Sequence, residues 1–242
     1  LFDERSAGLG ALIGPHFHRR QRSIVPKLDY TLFPKITQGD DPFSHGVARY
    51  APWTVVQDNK KVVGVLKGSD LWNGVKLSDI EDGDFTMTYS ASVEKGALVL
   101  NLSVVSQLDS LVGTHFYYRV PEGTAVVESF VQKTYMREGV LEPIPESMGY
   151  NPETGKLEFS LDHEADFTFH PFPDTLRGQI ALKTSEYTLQ ILYDSLSAEN
   201  SWQLWRPKKS FVCIEPVSSW DPRHPNLTVS SIKIHLSLNP AT

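Results

Sequence analysis

Residues 231–238 read SIKIHLSL, and Ile232, Ile234, Leu236 and Leu238 fall on every second position. Residues 97–105, ALVLNLSVV, repeat the pattern through Leu98, Leu100, Leu102 and Val104. Successive side chains of an extended chain point to opposite faces, so a two-residue period marks a strand with one apolar face. Such a face must be covered by a second layer, which limits the chain to sheet-on-sheet or sheet-on-helix architectures. Residues 54–56, 61–66, 84–90, 125–130, 156–161, 179–183 and 187–193 carry similar strand patterns.

Reversal signals separate these segments. Asp58-Asn59, Glu81-Asp82-Gly83, Glu94-Lys95-Gly96, Pro121-Glu122-Gly123 and the NPETG stretch over 151–155 all favour turns. No window carries a sustained helical stripe. The best helical candidate, residues 135–142, is short and stops before Pro143. Many strands joined by short reversals predict an all-β fold, a large antiparallel β-sandwich. With no linker-like composition shift and no fixed-period repeat, the prediction is one domain over residues 1–242.

Composition removes several functional classes. The net charge of −6 gives no basic excess for nucleic acid or anionic lipid. No apolar run is long enough for a membrane-spanning helix. Cys213 is the only cysteine, so no internal disulfide can form, and the expected compartment is a reducing cytoplasmic one. The chain begins at Leu1 rather than Met and shows no signal peptide, so a preceding segment is expected to have been removed or left out. The sequons at Asn101 and Asn226 are read as chance.

Five segments could carry chemistry. In Phe211-Val212-Cys213-Ile214-Glu215-Pro216 a lone carboxylate closes an apolar strand. Burial of that kind raises a carboxyl pKa and suits it to general-base work, although a glutamate emerging into a loop would read the same way. In Thr114-His115-Phe116-Tyr117-Tyr118 a histidine sits among aromatics, placed either for proton transfer or for packing. His45 and Gly46 precede Pro52-Trp53, where Trp53 is either core or a platform for stacking a ligand ring. His16 and His18 have an i, i+2 spacing that could hold a metal on a strand, but no third ligand follows at a known spacing. Asp166 lies between Ala165 and Phe167. No phosphate loop, nucleophile elbow or paired-cysteine motif is present.

The order of these segments resembles the aldose 1-epimerase (galactose mutarotase-like) family, together with its glucose-6-phosphate 1-epimerase-like relatives. Residues 14–20 are similar to the family's Gly…Asn-Arg segment, with His18 in the Asn place and Arg19 in the Arg place. His45-Gly46-Val47 with Pro52-Trp53, His115 with Tyr117-Tyr118, Asp166 before Phe167, and Cys213 to Pro216 match the later motifs in turn. Asp162 competes with Asp166 for the aspartate position. The resemblance implies a large antiparallel supersandwich lacking an edge strand or two at its start. It implies Glu215 as catalytic base and His115 as catalytic acid in ring opening and reclosure of a sugar. His45, Arg19 and Asp166 would hold sugar hydroxyls, with no metal and no cofactor, in a monomer or homodimer.

Three rivals stand beside this expectation. A hexose 6-phosphate epimerase could bind phosphate through Arg19, Arg20, Arg22 or the 206–209 basic run. A non-catalytic carbohydrate-binding protein could use the same scaffold. A glycoside hydrolase would need Asp166 and Glu215 as its carboxylate pair.

Overall fold

The computed structural model describes residues 46–58, 60–122, 124–207, 210–219 and 229–241, and the backbone of 13–19. Among the described residues are nineteen strands. In chain order they are β1 (Ile13–Arg19), β2 (Thr54–Gln57), β3 (Lys61–Lys67), β4 (Leu71–Trp72), β5 (Val75–Lys76), β6 (Phe85–Glu94), β7 (Ala97–Ser106), β8 (Ser110–His115), β9 (Tyr117–Arg119) and β10 (Val126–Arg137). There follow β11 (Val140–Pro143), β12 (Tyr150–Asn151), β13 (Lys156–Ser160), β14 (Ala165–Pro171), β15 (Arg177–Lys183), β16 (Tyr187–Ser195), β17 (Ser201–Arg206), β18 (Phe211–Val217) and β19 (Val229–Pro240). One short helix, α1 (Leu77–Glu81), closes on Asp82 in the left-handed conformation.

Every pairing is antiparallel, and the strands form two layers. One layer runs β2–β3–β6–β7–β19–β16–β15–β10–β13–β12. The other runs β11–β10–β14–β17–β18, then β8 and β9 against β18, then β1 against β8. The long β10 belongs to both: Val126 to Ser129 pair with β15, and Thr134 to Arg137 pair with β11. The β4–β5 hairpin stands apart from the two layers.

The alternation seen in the sequence sets the interior. From the first layer Leu100, Leu102, Val104, Ile232, Ile234, Leu189, Ile191 and Tyr193 turn inward. From the second come Phe169, Trp202, Leu204, Val212, Ile214 and Tyr118. Trp202 is fully buried and packs on Phe169 with ring centroids 4.7 Å apart. Each fully buried large apolar side chain stabilises the fold by about 1.5–3 kcal/mol relative to exposure.

The best helical candidate of the sequence, residues 135–142, is a β-hairpin. Tyr135 to Arg137 end β10 and Val140 begins β11, with Thr134 opposite Pro143 and Arg137 opposite Val140. Glu138 (φ 52°) and Gly139 (φ 80°) make the two-residue turn between them. Positive φ at both central positions is the geometry that matches strand twist in a tight hairpin. Lys95 and Gly96 do the same between β6 and β7, where the sequence does signal a turn.

Candidate active site

The site face follows from register. Phe211, Val212 and Cys213 of β18 lie opposite Arg119, Tyr118 and Tyr117 of β9. Val217 of β18 lies opposite Gly113 of β8. Both pairings share one register, which sets Glu215 directly across from His115. The ladder has no pair between these two stretches: Pro216 has no N–H to donate, and Phe116 separates β8 from β9. Directly opposite residues approach more closely than any other cross-strand pair.

The side chains meet as this register requires. His115 Nε2 lies 3.4 Å from Glu215 Oε1, with both side chains less than a tenth exposed. Strand alternation explains why Glu215 is on this side: Val212 and Ile214 enter the core, so Cys213 and Glu215 face away from it. Burial pushes the Glu215 carboxyl up to about 7. The His115 charge opposes that rise, Asp166 adds to it and Arg49 opposes it. Burial, with the Glu215 charge added, holds the Cys213 thiol far above its ordinary range, so it stays protonated.

Two further strands complete the face. Gln203 of β17 lies opposite Glu215, and Trp205 lies opposite Cys213. Thr168 of β14 lies opposite Gln203, and Asp166 lies opposite Trp205. The Gln203 side-chain amide donates to Asp166, and its carbonyl accepts from the Thr168 hydroxyl. Asp166 is exposed, and its carboxyl is raised by desolvation against the lowering effect of Gln203. Asp162, the sequence competitor, lies beyond β13, bonded to Ser160 at 2.5 Å.

Half-buried aromatic rings form a wall beside the acid–base pair. Tyr117 stacks on His115 at 5.1 Å, and Trp205 meets the His115 ring edge-on at 6.5 Å. Phe211 closes against Tyr117 at 5.0 Å. Arg49, at the end of the 3-10 turn Val47–Arg49, brings positive charge to Glu215 and Tyr117 and lies over the Tyr50 ring.

The sequence-predicted residues therefore separate. His115, Glu215 and Asp166 converge on one face. Arg19 ends β1 opposite Ser110, at the far end of β8 from His115. His16 and His18 lie in β1 opposite Gly113 and Leu111. His45 lies outside the described residues, as do Arg20 and Arg22. Trp53 serves packing: it donates to the Ala48 carbonyl at 2.9 Å, meets Tyr89 edge-on, and lies over Gly64. Arg206 is tied to its own hairpin, with Nη1 donating to the Phe211 carbonyl. Sequence reasoning missed Arg49, Tyr117, Gln203 and Trp205 as site residues.

No protein-family model and no curated protein matches the chain. Solved structures do. A galactose mutarotase-like protein from Lactobacillus casei superposes with TM-score 0.60 at 14 % identity, covering 93 % of this chain and 84 % of that one. A galactose mutarotase-like protein from Clostridium acetobutylicum gives 0.57 at 18 % identity, over 81 % and 69 %. A galactose mutarotase related enzyme from Lactobacillus acidophilus gives 0.54 at 16 % identity, over 82 % and 74 %. The chain has the galactose mutarotase-like sandwich fold. No helix among the described residues is long and apolar enough to cross a membrane.

Proposed function

We propose that the His115–Glu215 pair interconverts the α and β anomers of an aldose. Glu215 takes the proton from the anomeric hydroxyl while His115 gives a proton to the ring oxygen. The bond between the anomeric carbon and the ring oxygen breaks, and an open-chain aldehyde forms. Rotation about the adjacent carbon–carbon bond presents the other carbonyl face. Reclosure with the proton transfers reversed yields the other anomer and returns both groups to their starting states.

The observation that carries this reading is the contact between a buried imidazole and a buried carboxyl at 3.4 Å. The two oxygens that exchange protons are bonded to the same carbon, so the acid and the base must stand within a few ångströms of one another, each in hydrogen-bond reach of its own oxygen. A carboxyl pushed up to about 7 holds and releases a proton near neutrality, as an efficient general base must. Tyr117, Trp205 and Phe211 offer flat apolar surface to the C–H face of a sugar, and Asp166 with Gln203 offers acceptors and donors to its hydroxyls. These features also support carbohydrate as the substrate class.

Polarimetry or exchange NMR on freshly dissolved anomers tests the reaction. Glu215→Gln should fold like the parent and lose about 10²–10⁴-fold in anomer interconversion. Retention of most activity would remove Glu215 from the mechanism. Sugar binding with no rate enhancement in the parent would leave a carbohydrate-binding protein instead.

Arg49 favours one second reading, a hexose phosphate as substrate. A guanidinium held near the site is the group that recognises a phosphate. Comparing kcat/KM for glucose and glucose 6-phosphate separates the two readings.

A further inference from the structure

We propose that His115, Cys213 and Glu215 form a three-ligand site for a borderline or soft divalent cation such as Zn2+, and that occupancy blocks the acid–base pair. Their ligand atoms all lie within 4.8 Å of one another. All three residues are buried on the same face. The grouping is built by register: Cys213 and Glu215 are two apart on β18, and His115 lies across from Glu215 on β8.

The donor set selects the metal. One thiolate sulfur, one imidazole nitrogen and one carboxylate oxygen suit tetrahedral Zn2+ with a fourth position left open. Mg2+ and Ca2+ require several oxygens and are poorly served. Charge favours the same choice. A thiolate and a carboxylate neutralise a divalent cation, so the complex carries no net charge into a buried site. On binding, the thiol proton and the proton resident on the His115–Glu215 pair pass to solvent as the metal–ligand bonds form. Metal and sugar then compete for the same two proton-handling groups. That inhibitory consequence rests on the reading given under Proposed function, whereas the metal site stands on the geometry alone.

Cobalt spectroscopy on the full chain tests the site without reference to activity. Cys213 is the chain's only cysteine, so a thiolate-to-Co2+ charge-transfer band reports this residue and no other. The parent protein should show that band, saturating at one Co2+ per chain, and Zn2+ should displace it. Cys213→Ser should abolish the band, and His115→Gln should weaken Co2+ binding at least about tenfold, with circular dichroism verifying both folds. Absence of the band in the parent overturns the proposal, as does a Co2+ affinity unchanged in His115→Gln. Where anomer interconversion is measurable, Zn2+ should inhibit it and a chelator should restore it. Cys213→Ser, which keeps both proton-handling groups, should stay active and need at least about tenfold more Zn2+ for the same inhibition. A band present with no anomer interconversion would sustain the metal site and sink the epimerase reading alone.

Discussion

A methyl group on Gly113 would lie 2.8 Å from the Pro216 carbonyl oxygen and 3.2 Å from the Val217 Cα. Both atoms are backbone, so neither can swing aside. Glycine at 113 is what lets β8 close against β18 two residues before His115, and that closeness sets the His115–Glu215 contact. Gly113→Ala should therefore force the strands apart, costing about 1–3 kcal/mol of stability. It should also lower anomer interconversion by more than the loss of folded protein explains. Chemical denaturation and polarimetry on the same samples check this, and undiminished specific activity would separate Gly113 from the site.

Burial of Glu215 has a consequence for stability with a definite sign. Its carboxyl is pushed up to about 7 in the folded protein from an ordinary value of 4.5, so between those values the folded state binds more protons than the unfolded one. Stability from this group is present below about pH 4.5 and is lost as pH rises through about 7. The full effect is at most about 3 kcal/mol. Glu215→Gln cannot lose what it does not titrate. Its stability relative to the parent should rise between pH 5 and pH 8, by up to about that amount. Parallel thermal-unfolding profiles for the two proteins across that range would show that Glu215 ionises freely in the fold.

Gln203 sits opposite Glu215 and binds Asp166 with one end of its amide and Thr168 with the other. It acts as a spacer that fixes the aspartate at a set distance from the base. Gln203→Leu keeps the size and removes both bonds. One hydrogen bond is worth about 0.5–1.5 kcal/mol, so KM for the sugar should rise about two- to tenfold with kcat nearly unchanged. A fall in kcat at constant KM would instead place Gln203 in contact with the reacting atoms.

The strands were legible where one face is buried, since Leu100, Leu102, Ile232 and Ile234 repeat the two-residue period that the core demands. The 135–142 segment was not, because a turn made by Glu138 and Gly139 carries only a Glu-Gly signal between residues that also suit a helix. Glu215 and His115 stood out as single residues in apolar surroundings. Their opposition did not, because it depends on a register between strands far apart in sequence. Gln203 and Trp205 share one face of β17 and Trp202 and Leu204 the other, and a face that mixes a glutamine with a tryptophan carries no polar–apolar alternation to mark it. Arg49 lies in a loop turn whose approach to β9 and β18 no local pattern announces.

Arg49 offers the remaining prediction. Its positive charge lowers the Glu215 pKa against the larger effect of burial, and it also faces the Tyr117 hydroxyl. Removing that charge should let the Glu215 pKa rise, because a nearby cation favours the ionised carboxyl. Arg49→Met should therefore move the acidic limb of the kcat/KM profile to higher pH, where the free enzyme's base must first deprotonate. With an unphosphorylated sugar the plateau above that limb should be little changed. With a hexose phosphate it should drop as well, because the phosphate would lose its cation. A profile whose acidic limb stays in place for either substrate would mean that Arg49 does not act on the base.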